Sequence, residues 1–290
     1  MTGTDEERAA SRLARLAESL HGVTYYCEEV QEFVEAGMKG WFMSYFAYRS
    51  APLGRATPEL VTALFYNIGP RMVAKAVPAV WDVMSPEEAI ALRDNIVERA
   101  FPRLLGDLVD TSAFGEAADL LRRAAEGLDL AGRPLYAAHA SLAWPTSAHG
   151  ILSHAATLLR EYRFDGHNAA LLASDIDGVE AHVLMAGTGR GNKASILPIR
   201  GLTSDEWDQA VGRLAKRGWA EPDGTLTPTG ASGRKEIEAL TNRLAAEPVR
   251  RLAATGGVAH LEDLLTPTLQ RLNEQDLIPG SWPPKHLMKP

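Results

Sequence analysis

The chain has 290 residues, 46% hydrophobic and 23% charged, ordinary globular material sufficient for two small domains or one large helical unit. A formal net charge of -7 excludes a general attraction to phosphate backbones or anionic lipid, though a local basic patch is compatible with that total. The single cysteine, Cys27, excludes an intramolecular disulfide framework and a cysteine-based zinc cluster, and reads as a small buried apolar residue.

The opening MTGTDEERAAS is polar and holds no apolar signal region. No run approaches the ~18 apolar residues of a membrane span, so the sequence predicts a soluble cytoplasmic protein. Leu13, Leu16 and Leu20 recur at helical spacing and predict an amphipathic helix over 5–20. From Val23 to Trp81 the chain concentrates Tyr25, Tyr26, Phe33, Trp41, Phe42, Tyr45, Phe46, Tyr48, Phe65, Tyr66 and Trp81, an aromatic block holding more than half of the chain's aromatics. Thr57-Pro58 opens a helix there, which Pro70 and Pro78 interrupt. Ser85-Pro86-Glu87-Glu88 is a helix start with Ser85 as cap and Glu88 completing a capping box. Helices follow over 86–104 and 112–127. Nothing before residue 130 alternates with period two, so this half reads as all helix.

Gly132-Arg133-Pro134 reads as a linker, and Pro145 with Thr146 or Ser147 announces a central helix. Ile151, Leu152, Ala155, Leu158, Leu159 and Tyr162 form its apolar face. The sequence predicts a turn at Phe164-Asp165-Gly166, then two shorter helices separated by Asp175-Ile176-Asp177-Gly178, the spacing of a helix-turn-helix. Thr203-Ser204-Asp205-Glu206 is a capping box, Trp207, Val211, Leu214 and Ala215 supply a core stripe, and Gly218 ends the helix. Two short strands are expected about Asp223-Gly224, then a long helix from Thr227-Pro228-Thr229-Gly230 to about Leu252. One more helix is expected near 258–274, with an extended tail from Leu277. There is no internal repeat.

The stretch RGLTSDEWDQAVGRLAKRGWAEPDGTLTPTGASGRKEIEAL resembles the recognition helix, wing and following helix of MarR-type winged-helix proteins. TYYCEEVQEF, YFAYRSAPLG, LFYNIGPRMVAKAVPAVWDVMSPEEA and HAATLLREYRFDGHNAAL extend the likeness to a helix-turn-helix family of high-GC bacteria. The resemblance implies a fold and carries no activity, because folds host functions and sites perform them. The expected architecture is all-α with a small β wing, a helical domain packed on a winged helix-turn-helix domain. Its segments would be 1–132 (helical and aromatic-rich), 133–255 (winged helix-turn-helix) and 256–290 (C-terminal helix and extended tail).

The resemblance raises DNA binding, and the charges argue against it. The recognition helix begins Thr203, Ser204, Asp205, Glu206, with Asp208 close behind, and residues 220–229 hold Glu221 and Asp223 but no Lys or Arg. Carboxylates facing phosphates repel, and the missing cations remove the main source of affinity. Lys216, Arg217, Arg234 and Lys235 remain available to a DNA backbone or as a solvated face.

The densest polar constellation is His154, Thr157, Arg160, Glu161, Arg163, Asp165 and His167. His154 and Glu161 lie nearly two turns apart on one helix face, and a carboxylate beside an imidazole builds a general base. The same residues also fit a helix-end ion-pair network, with Asp165 capping the next helix. Trp41, Tyr45 and Tyr48 form an aromatic stripe ending at Arg49, with Phe65, Tyr66 and Asn67 nearby. That pattern fits either an aromatic core or a pocket for a planar ligand.

A metal at His149, His154, Glu161 and His167 is not expected, since His149 and His154 stand five apart and no HExxH occurs. His139 and His182 sit in apolar helices and read as core or rim histidines. Gly187-x-Gly189-x-Gly191 follows a helix, so it reads as a connector. No P-loop or GxSxG elbow occurs, and no cofactor is expected.

The sequence thus predicts a binding protein for a small aromatic or polycyclic molecule, on a winged-helix scaffold without DNA binding. As an enzyme it would run cofactor-independent acid–base chemistry of specialised metabolism. His154 or His167 would be base, Glu161 its orienting carboxylate, and Tyr66 a proton donor. Trp41, Tyr45, Arg49, Phe65, Asn67 and Arg160 would hold the ligand, with Arg160 or Arg49 steadying an anion. The alternative is a MarR-like ligand-responsive regulator. A homodimer is compatible with either, and no membrane partner is expected.

Overall fold

A computed structural model describes residues 4–275 and 277. Among these the chain is all-α. In chain order the helices used below are α1 (Asp5–Tyr26), α2 (Trp41–Ser50), α3 (Pro58–Phe65), α4 (Pro70–Ala76), α5 (Pro86–Leu105), α6 (Ser112–Ala125) and α7 (Pro134–Ala140). There follow α8 (Ala148–Ala173), α9 (Gly178–Ala186), α10 (Lys193–Arg200), α11 (Ser204–Lys216), α12 (Pro228–Leu244), α13 (Glu247–Leu252) and α14 (Gly257–Glu274). No described helix is long and apolar enough to cross a membrane.

The described residues form two compact units, the first from 4–56, 76–166, 242–275 and 277, the second from 57–75 and 167–241. Each unit is therefore assembled from separated stretches, unlike the three consecutive segments that the sequence suggested. In the first unit α1 packs on α5, α13 and α14, and α6 packs on α13 and α14. The spacing of α1's leucines is realised: Leu13, Leu16 and Leu20 are buried, each contributing about 2 kcal/mol of apolar transfer. In the second unit α9 packs on α11. The capping boxes read at Ser85 and Thr203 both form, to Glu88 and Glu206.

Three local expectations change. No turn interrupts the chain at 164–166, where α8 runs on through Ala173. Gly166 serves packing instead. Arg133 lies where a side chain would be, its Nη1 donating to Tyr162 O at 2.7 Å and its Nη2 to Leu244 O at 2.6 Å. The expected pair of strands is reduced to one antiparallel bridge, Ala220 with Leu226. Pro222 has no N–H to donate and Pro228 already opens α12, so little chain is left to pair. The helix expected to reach Leu252 breaks after Leu244, because Pro248 four residues on would lose its bond to that carbonyl and clash with it. The extended tail lies, apart from Leu277, outside the described residues.

Helix propensity favours Ala over Gly by about 1 kcal/mol, yet Gly166→Ala should destabilise. A Cβ there would displace Arg133 from the Tyr162 and Leu244 carbonyls, two bonds from a charged donor worth about 1.5–3 kcal/mol each. Urea unfolding should show a net loss of roughly 2 kcal/mol, and a more stable variant would mean that Arg133 is not seated against this helix.

Candidate functional site

The first unit is built around Glu161, which has no exposed surface. Its Oε1 accepts from Arg49 Nε and Arg160 Nη1, and its Oε2 from Arg49 Nη2, all at 2.8 Å. Burial acts to raise its pKa, but Arg160 and Arg49 hold the carboxyl well below the usual carboxylate range. Both guanidinium groups lie over the Phe164 ring, at 4.4 and 4.9 Å from its centre. Arg49 Nη1 also donates to Tyr45 OH at 2.8 Å. Tyr45 stacks on Trp41, whose Nε1 donates to the Tyr25 carbonyl. The sequence-predicted residues Trp41, Tyr45, Arg49, Arg160 and Glu161 thus form one cluster.

A second polar chain runs beside it. Thr157 Oγ1 donates to Ser153 O at 2.9 Å, so it must accept from His21 Nδ1, also at 2.9 Å. This fixes the tautomer of His21, whose Nε2 then accepts from Tyr25 OH at 3.0 Å. Burial first, then the Arg160 charge, keeps this imidazole neutral. Tyr48 OH donates to Thr24 Oγ1 at 2.6 Å.

Thr157 and Tyr48 also line a cavity of about 330 Å³. Its other walls come from α5 (Arg93, Asp94, Val97, Glu98), from α8 (Gly150, Ser153, His154) and from the 143–146 segment bearing Trp144. Trp144 meets the His154 ring edge-on, 4.7 Å between centroids, and Arg122 lies over the indole. Gly150 permits the close approach at one side of the cavity. A Cβ there would come within 2.7 Å of Pro145 Cβ and Ser147 Oγ and 2.9 Å of Glu98 Oε1.

Two buried polar atoms on side chains lining this cavity, Arg93 Nη1 and His154 Nε2, have no hydrogen-bond partner. Arg93 and His154 are 5% and 7% exposed. Sequence reasoning passed over Arg93, although a signal existed. It occupies the same α5 stripe as the buried Ala89, Ile96 and Ala100, where a charged residue is out of place. Trp144, in the stretch before the central helix, carried no periodic signal.

The general-base pairing expected from the sequence is not the one found. Glu161 is held by two arginines, while His154 has no carboxylate partner and is pushed down to about 3 by burial and by Arg93 and Arg122. Phe65, Tyr66, Asn67 and His167 belong to the second unit. There His167 Nδ1 bonds Thr241 Oγ1 at 2.9 Å, and the Asn67 carbonyl receives His182 Nε2 at 2.8 Å. Tyr66 OH donates to Ile176 O at 2.6 Å, and burial followed by Asp177, Glu180 and Asp175 raises its pKa, which makes it a poorer acid. Phe65 is fully buried. Among the described residues no group of three His, Cys, Asp or Glu is placed to hold a metal ion.

Burial also holds His139 and His182 down to about 3, with Arg93 and Arg200 adding to it. A histidine with a depressed folded pKa contributes stability that is full above the unfolded value of about 6.5 and lost as pH falls toward 3. Asp165 acts oppositely. Burial pushes it up to about 7, so its contribution is full below about 4 and lost as pH rises through 7. The histidines outnumber it, so stability should fall as pH drops from 6.5 to 4.5. Neither ring nitrogen of His139 is bonded, so His139→Leu sacrifices no hydrogen bond. It should reduce that pH slope by up to about 1.4 kcal/mol per pH unit, measured by urea midpoints. An unchanged slope would show that His139 titrates normally.

The profile of a helix-turn-helix family matches residues 10–279. No curated protein and no solved structure matches the chain. The match covers nearly the whole sequence, including the cluster about Glu161 and the helices α9 to α11, and on that extent the chain belongs to this helix-turn-helix family.

Proposed function

We propose that this protein binds a small aromatic molecule in the first unit's cavity, on a scaffold whose helix-turn-helix does not grip DNA. The carrying observation is the cavity itself, with aromatic walls and two buried nitrogen atoms on its lining side chains, Arg93 Nη1 and His154 Nε2, left without hydrogen-bond partners. Ligand sites combine apolar lining with a few converging polar groups. At about 330 Å³ it stands at the low end of the ~300–1,000 Å³ usual for such sites, so one or two rings fit better than a larger polycycle. The same geometry favours binding over acid–base catalysis. An efficient general base has a pKa near the working pH, which His154 at about 3 does not.

Charge pairing in the second unit supports the reading on DNA. Arg71 is ion-paired with Glu206, Lys193 with Asp208, Arg213 with Glu180 and Asp177, and Arg234 with Glu238. Cations already neutralised by carboxylates release fewer counterions on meeting phosphate. Membership of a helix-turn-helix family is compatible with a second reading, a ligand-responsive regulator of MarR-like type. Fluorescence anisotropy at low salt, with random duplex and with the DNA upstream of the protein's own gene, should show no binding tighter than about 10⁻⁵ M. Nanomolar binding to one sequence would establish the regulator instead.

The ligand reading is tested by a thermal-shift screen of one- and two-ring aromatic metabolites. A binder at 100-fold its Kd should add about 2.7 kcal/mol of stability. Trp144→Leu should abolish the shift with little change in the unliganded Tm. A response equal in wild type and variant would place the ligand elsewhere.

A further inference from the structure

Given that this cavity is a ligand site, we propose that its ligand is an aromatic monocarboxylate, the carboxylate oxygens taking bonds from Arg93 Nη1 and His154 Nε2 and the ring lying against Trp144. The proposal rests on what the protein leaves unmet. A guanidinium presents five N–H donors in a planar fork. Arg93 bonds Asp94 through Nε at 3.2 Å and lies over Tyr48 at 5.5 Å, but its buried Nη1 has no acceptor. His154 adds a second unmet nitrogen on the same cavity, and its ring is neutral at ordinary pH. A neutral imidazole with Nε2 protonated is a donor. Two donors on one cavity suit the two oxygens of a carboxylate, and the charge-assisted bond to guanidinium is the stronger kind.

The charge of the ligand follows from the neighbours. Asp94 and Glu98 also line the cavity. Glu98 is committed to Ser147 Oγ at 2.6 Å and His149 Nε2 at 2.8 Å, and Asp94 to Arg93. One carboxylate can share Arg93 with Asp94, whereas a second negative charge would crowd Asp94 and Glu98 with no further cation among the residues that line the cavity. Phosphates and dicarboxylates are therefore disfavoured. Trp144 supplies a flat apolar wall, and the small volume limits the ring system to one or two rings.

Isothermal titration of the full chain at neutral pH with 2-naphthoate, 2-naphthamide and 2-naphthyl phosphate tests this without any mutation. Naphthoate should bind at least ten-fold tighter than the other two. Arg93→Gln should weaken naphthoate to the level of the amide while leaving the amide unchanged. If Arg93→Gln does not fold, His154→Phe, which keeps the ring and removes the donor, should lower the preference for naphthoate over naphthamide several-fold. Naphthamide binding as tightly as naphthoate, or the phosphate binding tighter, would overturn the monocarboxylate assignment and leave the ligand site standing. Loss of both proposals has a different signature: none of the three binding at millimolar concentration, with no hit in the thermal-shift screen.

Discussion

A carboxylate without solvent, Glu161, is shared by two guanidinium groups, and most of the first unit's polar interior follows from that sharing. Desolvating such ions is expensive, and the expense is offset only when every oxygen and N–H is well met. Here the carboxylate receives three short bonds, and Phe164 presents its ring to both cations. The arrangement carries one surplus positive charge, which Glu18 approaches only at 3.4 Å from Arg160. Burial, with the Arg160 charge adding to it, keeps His21 neutral despite its carboxylate neighbour, and with Thr157 committed to Ser153 the Thr157–His21–Tyr25 chain has one direction of donation.

The cavity borders this interior through Thr157 and Tyr48 and differs from it in kind. Where the cluster satisfies its polar atoms, the cavity leaves Arg93 Nη1 and His154 Nε2 open. Buried donors without acceptors destabilise a fold by about 1–3 kcal/mol each; His139 in the same unit is also unbonded, and what sets Arg93 and His154 apart is that their side chains line a cavity. The aromatic block, by contrast, packs ring on ring and works mainly as core.

Local chemistry was the legible part of the sequence. Capping boxes at Ser85 and Thr203 and the leucine stripe of α1 all depend on spacing within a few turns of helix. What failed depends on residues distant in the chain. Gly166 reads as a turn until Arg133 is known to occupy its missing side chain. Glu161 reads as a partner for His154 until Arg49, 112 positions away, is placed on it. Trp144 and Arg93 could not be paired from periodicity, since they come from separate elements of the chain.

The first unit takes residues from both ends of the chain, with Arg12 bonded to Glu262 at 2.9 Å and Gln275 to the Leu104 carbonyl at 2.7 Å. A ribosome delivers the chain in order, so these partners are absent while most of it already stands outside the exit tunnel. Residues 57–75 and 167–241 are all available before the stretch from Asn242 emerges. Loop-closure entropy across 250 residues adds a further kinetic obstacle to the Arg12–Glu262 pairing. The unit bearing the cavity therefore waits on residues from Asn242 onward, long after α1, α5 and α6 have been made. Until it closes, the apolar faces of α1, α5 and α6 that await α13 and α14 are exposed, and nascent chains should look to chaperones for cover.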